Sequence, residues 1–319
     1  MKVSGVSEWS AKLQTLIDNI EGVFRGKRDV VELAVVGLVA EGHLLLEDVP
    51  GVGKTTLSKA LAHSLGCEFS RIQFTSDLLP SDVLGISIFD KEKSDFVLRK
   101  GPIFANILLA DEINRTTPRS QSALLEAMNE RQVTIDNATH PLPGPFMVLA
   151  TQNPLDFAGT YPLPESQMDR FTLRLEVGYP EPEVEREIIR SRGFDGLTEN
   201  MKPVLTADEV LQIQAASRDV TLSDAVLDYL QELVQRTRKS PYLSLGISIR
   251  GAISLSRTAQ AKALVAGRDF VLPDDVKELF VPACAHRVMV KSFHDNAADR
   301  RREAENVLGD IWDKTPVPV

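Results

Sequence analysis

Leu44-Leu-Leu-Glu-Asp48-Val-Pro-Gly51-Val-Gly53-Lys54-Thr55-Thr56 sets three leucines before a glycine-broken loop, with a lysine and two threonines after it. Three consecutive leucines read as a short buried strand, and the residues from Lys54 onward read as a helix start. A strand, a glycine loop and a helix opening on lysine and threonine form the context a phosphate-binding loop requires. Glycines let backbone N–H groups face phosphate oxygens with no Cβ in the way, and the helix N-terminus adds its positive end. Pro50, Gly51, Val52, Gly53, Lys54, Thr55 and Thr56 are therefore the candidate nucleotide-binding residues. Lys54 would bridge the outer phosphates, and the Thr55 hydroxyl would ligate Mg²⁺. The strict pattern begins with glycine where Asp48 stands, so the Asp48 carboxylate must point away from the phosphates.

Outward from the loop, strands and helices alternate. The helix after the loop ends near Gly66, and a strand spans about 68–74. Asn106-Ile-Leu-Leu-Ala-Asp111-Glu112 is a second buried strand. Thr117-Pro118 starts a helix that ends near Arg131. Phe146-Met-Val-Leu-Ala-Thr-Gln-Asn153 and Phe171-Thr-Leu-Arg-Leu-Glu-Val177 are further strands. This alternation predicts an α/β fold on a mainly parallel sheet. Two irregular stretches, about 76–105 and 131–145, read as hairpin insertions. Before the loop, Trp9, Leu13, Leu16, Ile17 and Ile20 lie at helical spacing, and a second helix covers about 29–40.

After Tyr179 the pattern changes. Residues 179–184 form a proline-rich acidic hinge, and only helices are expected beyond it. Thr206 with Glu209 is a capping box, Ser223 and Ser248 cap the next two helices, and Pro273 opens a fourth. The tail after His294 is charged and ends in Pro-Val repeats, so a frayed terminus is expected, with 299–305 a solvated helix face. The expected division is a nucleotide-binding core over 1–178, the hinge, and an α-helical lid with its tail over 185–319.

Chemistry concentrates at the strand ends. Asp111 is placed to hold the Mg²⁺ shell, and Glu112 to polarise a water for attack on the γ-phosphate. An ordinary strand exit with two solvated acids is the plainer alternative. The pairing with the phosphate loop favours chemistry. Asn153 either bonds that water or the γ-phosphate, or forms a turn with Pro154. Arg170 either supplies charge to a neighbouring subunit's γ-phosphate or makes a surface salt bridge with Asp169 or Glu165. Arg250 either reaches the γ-phosphate from the second domain or sits on the surface.

Composition narrows the classes. The chain has 319 residues, 43% hydrophobic and 25% charged, with a net charge of −9. These values describe a globular protein of about two domains. An acidic chain has no global attraction to nucleic acid or anionic lipid, and 6% aromatic content argues against a base-stacking platform. Cys67 and Cys284 have no metal-like spacing, nor have His43, His63, His140, His286 and His294, and no metal site is expected on them. No apolar signal core or membrane-length run is present, so a soluble cytoplasmic protein is expected.

The loop at 44–55, the block from Leu108 to Thr134 containing Asp-Glu-Ile-Asn-Arg, Ala150-Thr-Gln-Asn-Pro154 and Leu163-Pro-Glu-Ser-Gln-Met-Asp-Arg-Phe171 together resemble an AAA+ ATPase, most closely the MoxR family. The resemblance spans nearly the whole chain. It implies a P-loop core with a parallel five-stranded sheet between helices, a small all-α lid, and a ring of subunits, usually hexameric, with ATP and Mg²⁺ between neighbours. It casts Asn153 as sensor 1, Arg170 as the arginine finger and Arg250 as sensor 2. It also makes 76–105 the insertion in the second helix, and 131–145 the hairpin before sensor 1. Val23-Phe-Arg-Gly26 matches the segment near the adenine, with Lys27 where that segment usually continues with glutamine. Its implied activity is chaperone-like remodelling of protein clients, often with a von Willebrand factor A domain partner.

Two other functions compete with that expectation. A nucleic-acid motor of related architecture needs basic pore hairpins. The first tip here, Asp90-Lys-Glu-Lys-Ser-Asp95, is mixed, and the second, Asn137-Ala-Thr-His140, has no lysine or arginine. A nucleotide-gated scaffold with little turnover would lack Glu112 or Arg170, and both are present.

Overall fold

The computed structural model describes residues 5–152, 160–190, 198–292 and 297–318. In chain order, α1 (Val6–Glu21) and α2 (Arg28–Val39) lead into β1 (Leu44–Glu47), α3 (Lys54–Ser64) and β2 (Phe69–Gln73). A short α4 (Pro80–Leu84) introduces the first hairpin, β3 (Gly85–Asp90) with β4 (Asp95–Lys100). Next come β5 (Ile107–Asp111), α5 (Pro118–Glu130), the second hairpin β6 (Gln132–Ile135) with β7 (Ala138–Pro141), then β8 (Met147–Gln152), α6 (Glu165–Met168) and β9 (Leu173–Leu175). The remainder comprises α7 (Pro182–Arg190), α8 (Ala207–Arg218), α9 (Asp224–Lys239), β10 (Leu243–Leu245), α10 (Ile249–Val265), α11 (Pro273–Cys284), β11 (Met289–Val290) and α12 (Ala297–Asp313).

The main sheet is parallel, in the order β2-β5-β8-β1-β9. Successive side chains of a strand point to opposite faces, and here each face has its own core. Leu44, Leu46, Leu109, Leu149 and Leu173 enter a core shared with α1, α2 and α3. Leu45, Leu108, Ala110, Val148 and Ala150 enter a second core against α5 and the hairpins. Burial on both faces explains why these strands are unbroken apolar runs. The first core continues into the C-terminal helices, because α1 packs on α10, and α2 on α8 and α10.

Both insertions are antiparallel hairpins, pairing Gly85 through Asp90 with Lys100 through Asp95 and Gln132 through Ile135 with Pro141 through Ala138. Gly85 sits at the first root with φ +98°, where a Cβ would stand 2.3 Å from the Arg99 carbonyl, so only glycine fits.

Three expectations for the C-terminal part are corrected. The region is not purely helical, because Leu243 pairs with Val290 and Leu245 with Met289 in a two-stranded antiparallel sheet. Strands of three and two residues carry no periodicity, and their partners lie far apart in sequence. The tail is also not frayed. Within α12, Ala304 and Leu308 are buried, one turn apart on the face that meets α9 and α11. Nor is 299–305 simply a solvated face. Arg301 bonds the Glu176 carboxylate at 2.7 Å, and Glu305 pairs with the buried Arg174. Among the described residues no helix is long and apolar enough to cross a membrane.

His43, just before β1, is buried with both ring nitrogens engaged. The Val148 N–H donates to Nδ1 at 3.0 Å, so Nε2 carries the proton and donates to the Met128 carbonyl at 3.0 Å. Burial pulls its pKa down to about 4. The unfolded chain binds this proton near pH 6.5, whereas the folded chain resists until about pH 4. Stability therefore falls as pH drops through that window, by roughly 3 kcal/mol at most. Urea unfolding at several pH values should show this slope, and His43→Gln should flatten it. His286, also buried, is shifted the same way by burial and by Arg287. His294 lies outside the described residues.

Candidate functional site

The parallel sheet brings the C-terminal ends of β1, β2, β5 and β8 to one edge, where a cavity of about 370 Å³ opens. Pro50, Gly51, Gly53, Lys54 and Thr55 line it from the loop, and Asp111, Glu112 and Thr151 from β5 and β8. Gly51 and Gly53 take φ values of +86° and +91°, and a Cβ on Gly51 would meet nothing within 4 Å. The loop therefore arches over open space at the N-terminus of α3. Lys54 Nζ donates to the carbonyls of Asp48 (2.9 Å) and Val49 (3.3 Å). Burial pulls the Lys54 ammonium below the ordinary lysine value, while Asp48, Asp111 and Glu112 oppose the shift.

Asp48 does point away from the loop's concavity. Its carboxylate accepts from Val49 N–H at 2.7 Å and from Gly178 N–H at 2.6 Å. It thus ties the glycine loop before α3 to the chain leaving β9.

Sequence reasoning missed the fixtures around the two acids. Glu112 has φ +56°, unusual for a residue with a side chain, and its N–H donates to Thr151 Oγ1 at 2.8 Å. The same hydroxyl donates to Asp111 Oδ1 at 2.5 Å, so Thr151 orients both acids. From β2, whose Gln73 is in register with Asp111, Gln73 Nε2 donates to Glu112 Oε2 at 2.5 Å and Arg71 bonds Asp111 Oδ2 at 2.6 Å. The available signal was the alternation of β2, which sets Arg71 and Gln73 on one face of a strand that must neighbour β5.

A second cavity, about 200 Å³, shares Gly51 and is walled by Phe24, Val52, Val177, Tyr179, Ile188 and Ile189, with Lys27 at its side. Gly26 does not line it. Gly26 has φ +73° and backs onto Val184 of α7. Thr56 is buried and lines neither cavity. An apolar slot beside the glycine loop offers an apolar wall of the kind that binds a flat ring. The Asp111 carboxylate and Thr55 hydroxyl are hard oxygen donors suited to Mg²⁺.

Arg170 and Arg250 lie elsewhere. Together they line a third cavity, about 180 Å³, with Ala40, Glu41, His43 and Thr172. Those four residues precede β1 and β9, so this cavity lies at the N-terminal edge of the sheet, opposite Lys54 and Glu112. The length of β1 alone separates the edges by about 10 Å. Arg170 Nη1 donates to the Leu125 carbonyl at 2.6 Å, and its Nε is buried without a partner. Burial and the adjacent Arg250 lower its pKa. Asp169 does not pair with Arg170. It bonds Arg287 at 2.9 Å and the Ser248 hydroxyl at 3.0 Å. Asn153 lies outside the described residues.

Residues 43–173 match the sequence model of the ATPase family associated with various cellular activities (AAA), and 235–308 match that of the AAA lid domain. Uncharacterized protein YeaC of Bacillus subtilis is 46% identical, the alignment covering 95% of this chain and 94% of that protein. Chaperone MoxR1 of Mycobacterium tuberculosis is 41% identical over 92% of this chain and 80% of its own length. A crystal structure from Cytophaga hutchinsonii, assigned as an ATPase by inference, superposes with a TM-score of 0.88 at 37% identity, covering 98% of this chain and 97% of that one. With the five-stranded parallel sheet and the glycine loop before α3, these similarities show that the chain belongs to the MoxR family of AAA+ ATPases.

Proposed function

We propose that the chain is a Mg²⁺-dependent, ring-forming ATPase of the cytoplasm, hexameric as its family suggests, that remodels or matures protein clients. The observation that carries this proposal is the separation of the acids from the arginines. Lys54, Asp111 and Glu112 share one edge of the sheet, while Arg170 and Arg250 share the other. One chain holds both halves of a hydrolytic site facing apart, and adjoining copies packed edge to edge would bring them together. In each site Lys54, Thr55 and the N-terminus of α3 hold the phosphates, and Glu112 takes the proton of the attacking water. Asn153 senses the γ-phosphate, and Gly26 turns the chain beside the base. Mg²⁺, when bound by Thr55 and Asp111, neutralises charge across the outer phosphates. Arg170 and Arg250 of the next copy stabilise the charge that develops on transfer. The hinge at 179–184 divides a core over 1–178 from a lid over 185–319, and it lets the lid follow nucleotide state.

A protein client is favoured by the first hairpin. Phe89 and Phe96 stack edge to face at 5.4 Å near its tip and are 55% and 68% exposed. Such a surface suits apolar side chains better than phosphates. A von Willebrand factor A domain protein is the partner class proposed to present clients. The nucleic-acid motor and the low-turnover scaffold remain the competing functions.

Sedimentation velocity with and without ATP and Mg²⁺, run beside phosphate release, tests the proposal. A ring should form, with turnover per chain rising steeply with protein concentration. Full turnover by an isolated monomer would overturn it. Tight, steeply salt-dependent DNA binding would favour the motor.

A further inference from the structure

One face of α10 carries Arg250, Ile253, Ser254 and Arg257 into the cavity that Arg170 lines. Their spacing of three, four and seven residues stacks them along the helix. The cavity contains five arginines and two carboxylates. Both carboxylates are occupied. Glu41 pairs with Arg131 at 2.6 Å and with Arg218, and Asp169 is held by Arg287 and Ser248. Arg170, Arg250 and Arg257 make no ion pair with any carboxylate among the described residues. Glu126 and Glu130 act on Arg170 only through longer-range attraction.

Three unneutralised guanidinium groups on one side of an acidic chain repel one another, and an anion brought from outside relieves that repulsion. The planar fork of arginine matches phosphate oxygens. Arg170 and Arg250 already have roles in the proposed trans site, but Arg257, exposed on the same face, has none. We propose that Arg257 is a third phosphate-contacting arginine, binding phosphate oxygens of the nucleotide held by the adjoining copy. The proposal rests on the trans assignment made under Proposed function.

The test uses the full chain. Arg257→Gln keeps helix propensity and removes the charge. It should form rings and lower kcat/KM for ATP roughly tenfold, with Arg257→Lys recovering part of the loss. Mixing Arg257→Gln with Lys54→Ala chains should raise phosphate release per Arg257→Gln chain, because sites with Lys54 from one copy and Arg257 from the next are then intact. Arg170→Ala mixed with Lys54→Ala is the parallel arm. If Arg170→Ala recovers on mixing while Arg257→Gln alone turns over at the wild-type rate, or is slow and does not recover, the Arg257 proposal is wrong and the trans assignment stands. If neither mixture recovers although rings form, the trans assignment itself fails. Loss of ring formation in both Arg257 variants would make Arg257 an assembly contact and also overturn the proposal.

Discussion

Glu112→Gln should bind ATP with near wild-type affinity and release almost no phosphate at steady state. The substitution preserves size and removes the base. Its backbone position is set independently of the side chain, since the Glu112 N–H is held by Thr151 and Thr151 is anchored on Asp111. Gln73 faces the side chain at 2.5 Å, and its amide can pair with either an amide or a carboxylate. Lys54, Thr55 and the α3 N-terminus are untouched, so phosphate affinity should persist. A general base contributes about 10² to 10⁴ in rate, and the loss should fall in that range. Single-turnover phosphate release and a fluorescent-nucleotide titration on the same preparation check both halves. Turnover within threefold of wild type would remove Glu112 from the water-activating role. Unchanged turnover with lost binding would contradict the whole arrangement at the β5 exit.

Arg170→Ala should be at least as damaging, by a route that only mixing reveals. An arginine finger is worth about 10³ to 10⁵ in rate in related phosphoryl-transfer systems. Arg170 sits in the cavity before β1 and β9, away from its own chain's glycine loop and Lys54. Turnover should therefore collapse in the pure variant and reappear when Arg170→Ala chains share rings with Lys54→Ala chains. Arg170 also donates to the Leu125 carbonyl at 2.6 Å, so a purely structural effect needs separating. Arg170→Lys does this, because it keeps one charge and one donor but loses the fork. Its melting temperature should stay near wild type while its turnover stays low. A variant that unfolds early and never recovers in mixed rings would return Arg170 to a structural role.

Much of this was readable in the chain. The run Leu44 to Thr56 specified strand, loop and helix together, because each local preference agreed with the next. The acids at the end of β5 stood out only through their pairing with the glycine loop, because an apolar strand that stops on Asp-Glu is equally an ordinary solvated exit. The hairpins at 85–100 and 132–141 were found as breaks in the alternation, and the second and third lid helices were found by Ser223 and Ser248, whose hydroxyls accept from Val226 and Gly251. The two-stranded sheet of β10 and β11 was not readable, since its pairing joins residues more than forty positions apart. The docking of α12 was missed for a related reason. Its charged residues suggest water, yet Arg301 and Glu305 find partners on β9 and the chain after it, which only the fold brings near.

By itself, the sequence determined the glycine loop before α3, the acids at the end of β5, the main alternation of strands and helices before the C-terminal region, and the family they resemble. All of these depend on neighbours within a few residues, where periodicity and turn chemistry operate. Only the tertiary structure decided where Asp48 sends its carboxylate, that Thr151, Gln73 and Arg71 surround the acids, and that Arg170 joins Arg250 and Arg257 away from Lys54. Those facts depend on which strands lie side by side and which edge of the sheet a residue reaches. A parallel sheet gathers all its strand exits at one edge and all its entries at the other. That geometry sets the acids at strand exits and Arg170 at a strand entry, and it brings Arg250 and Arg257 beside Arg170 from about eighty residues further along the chain.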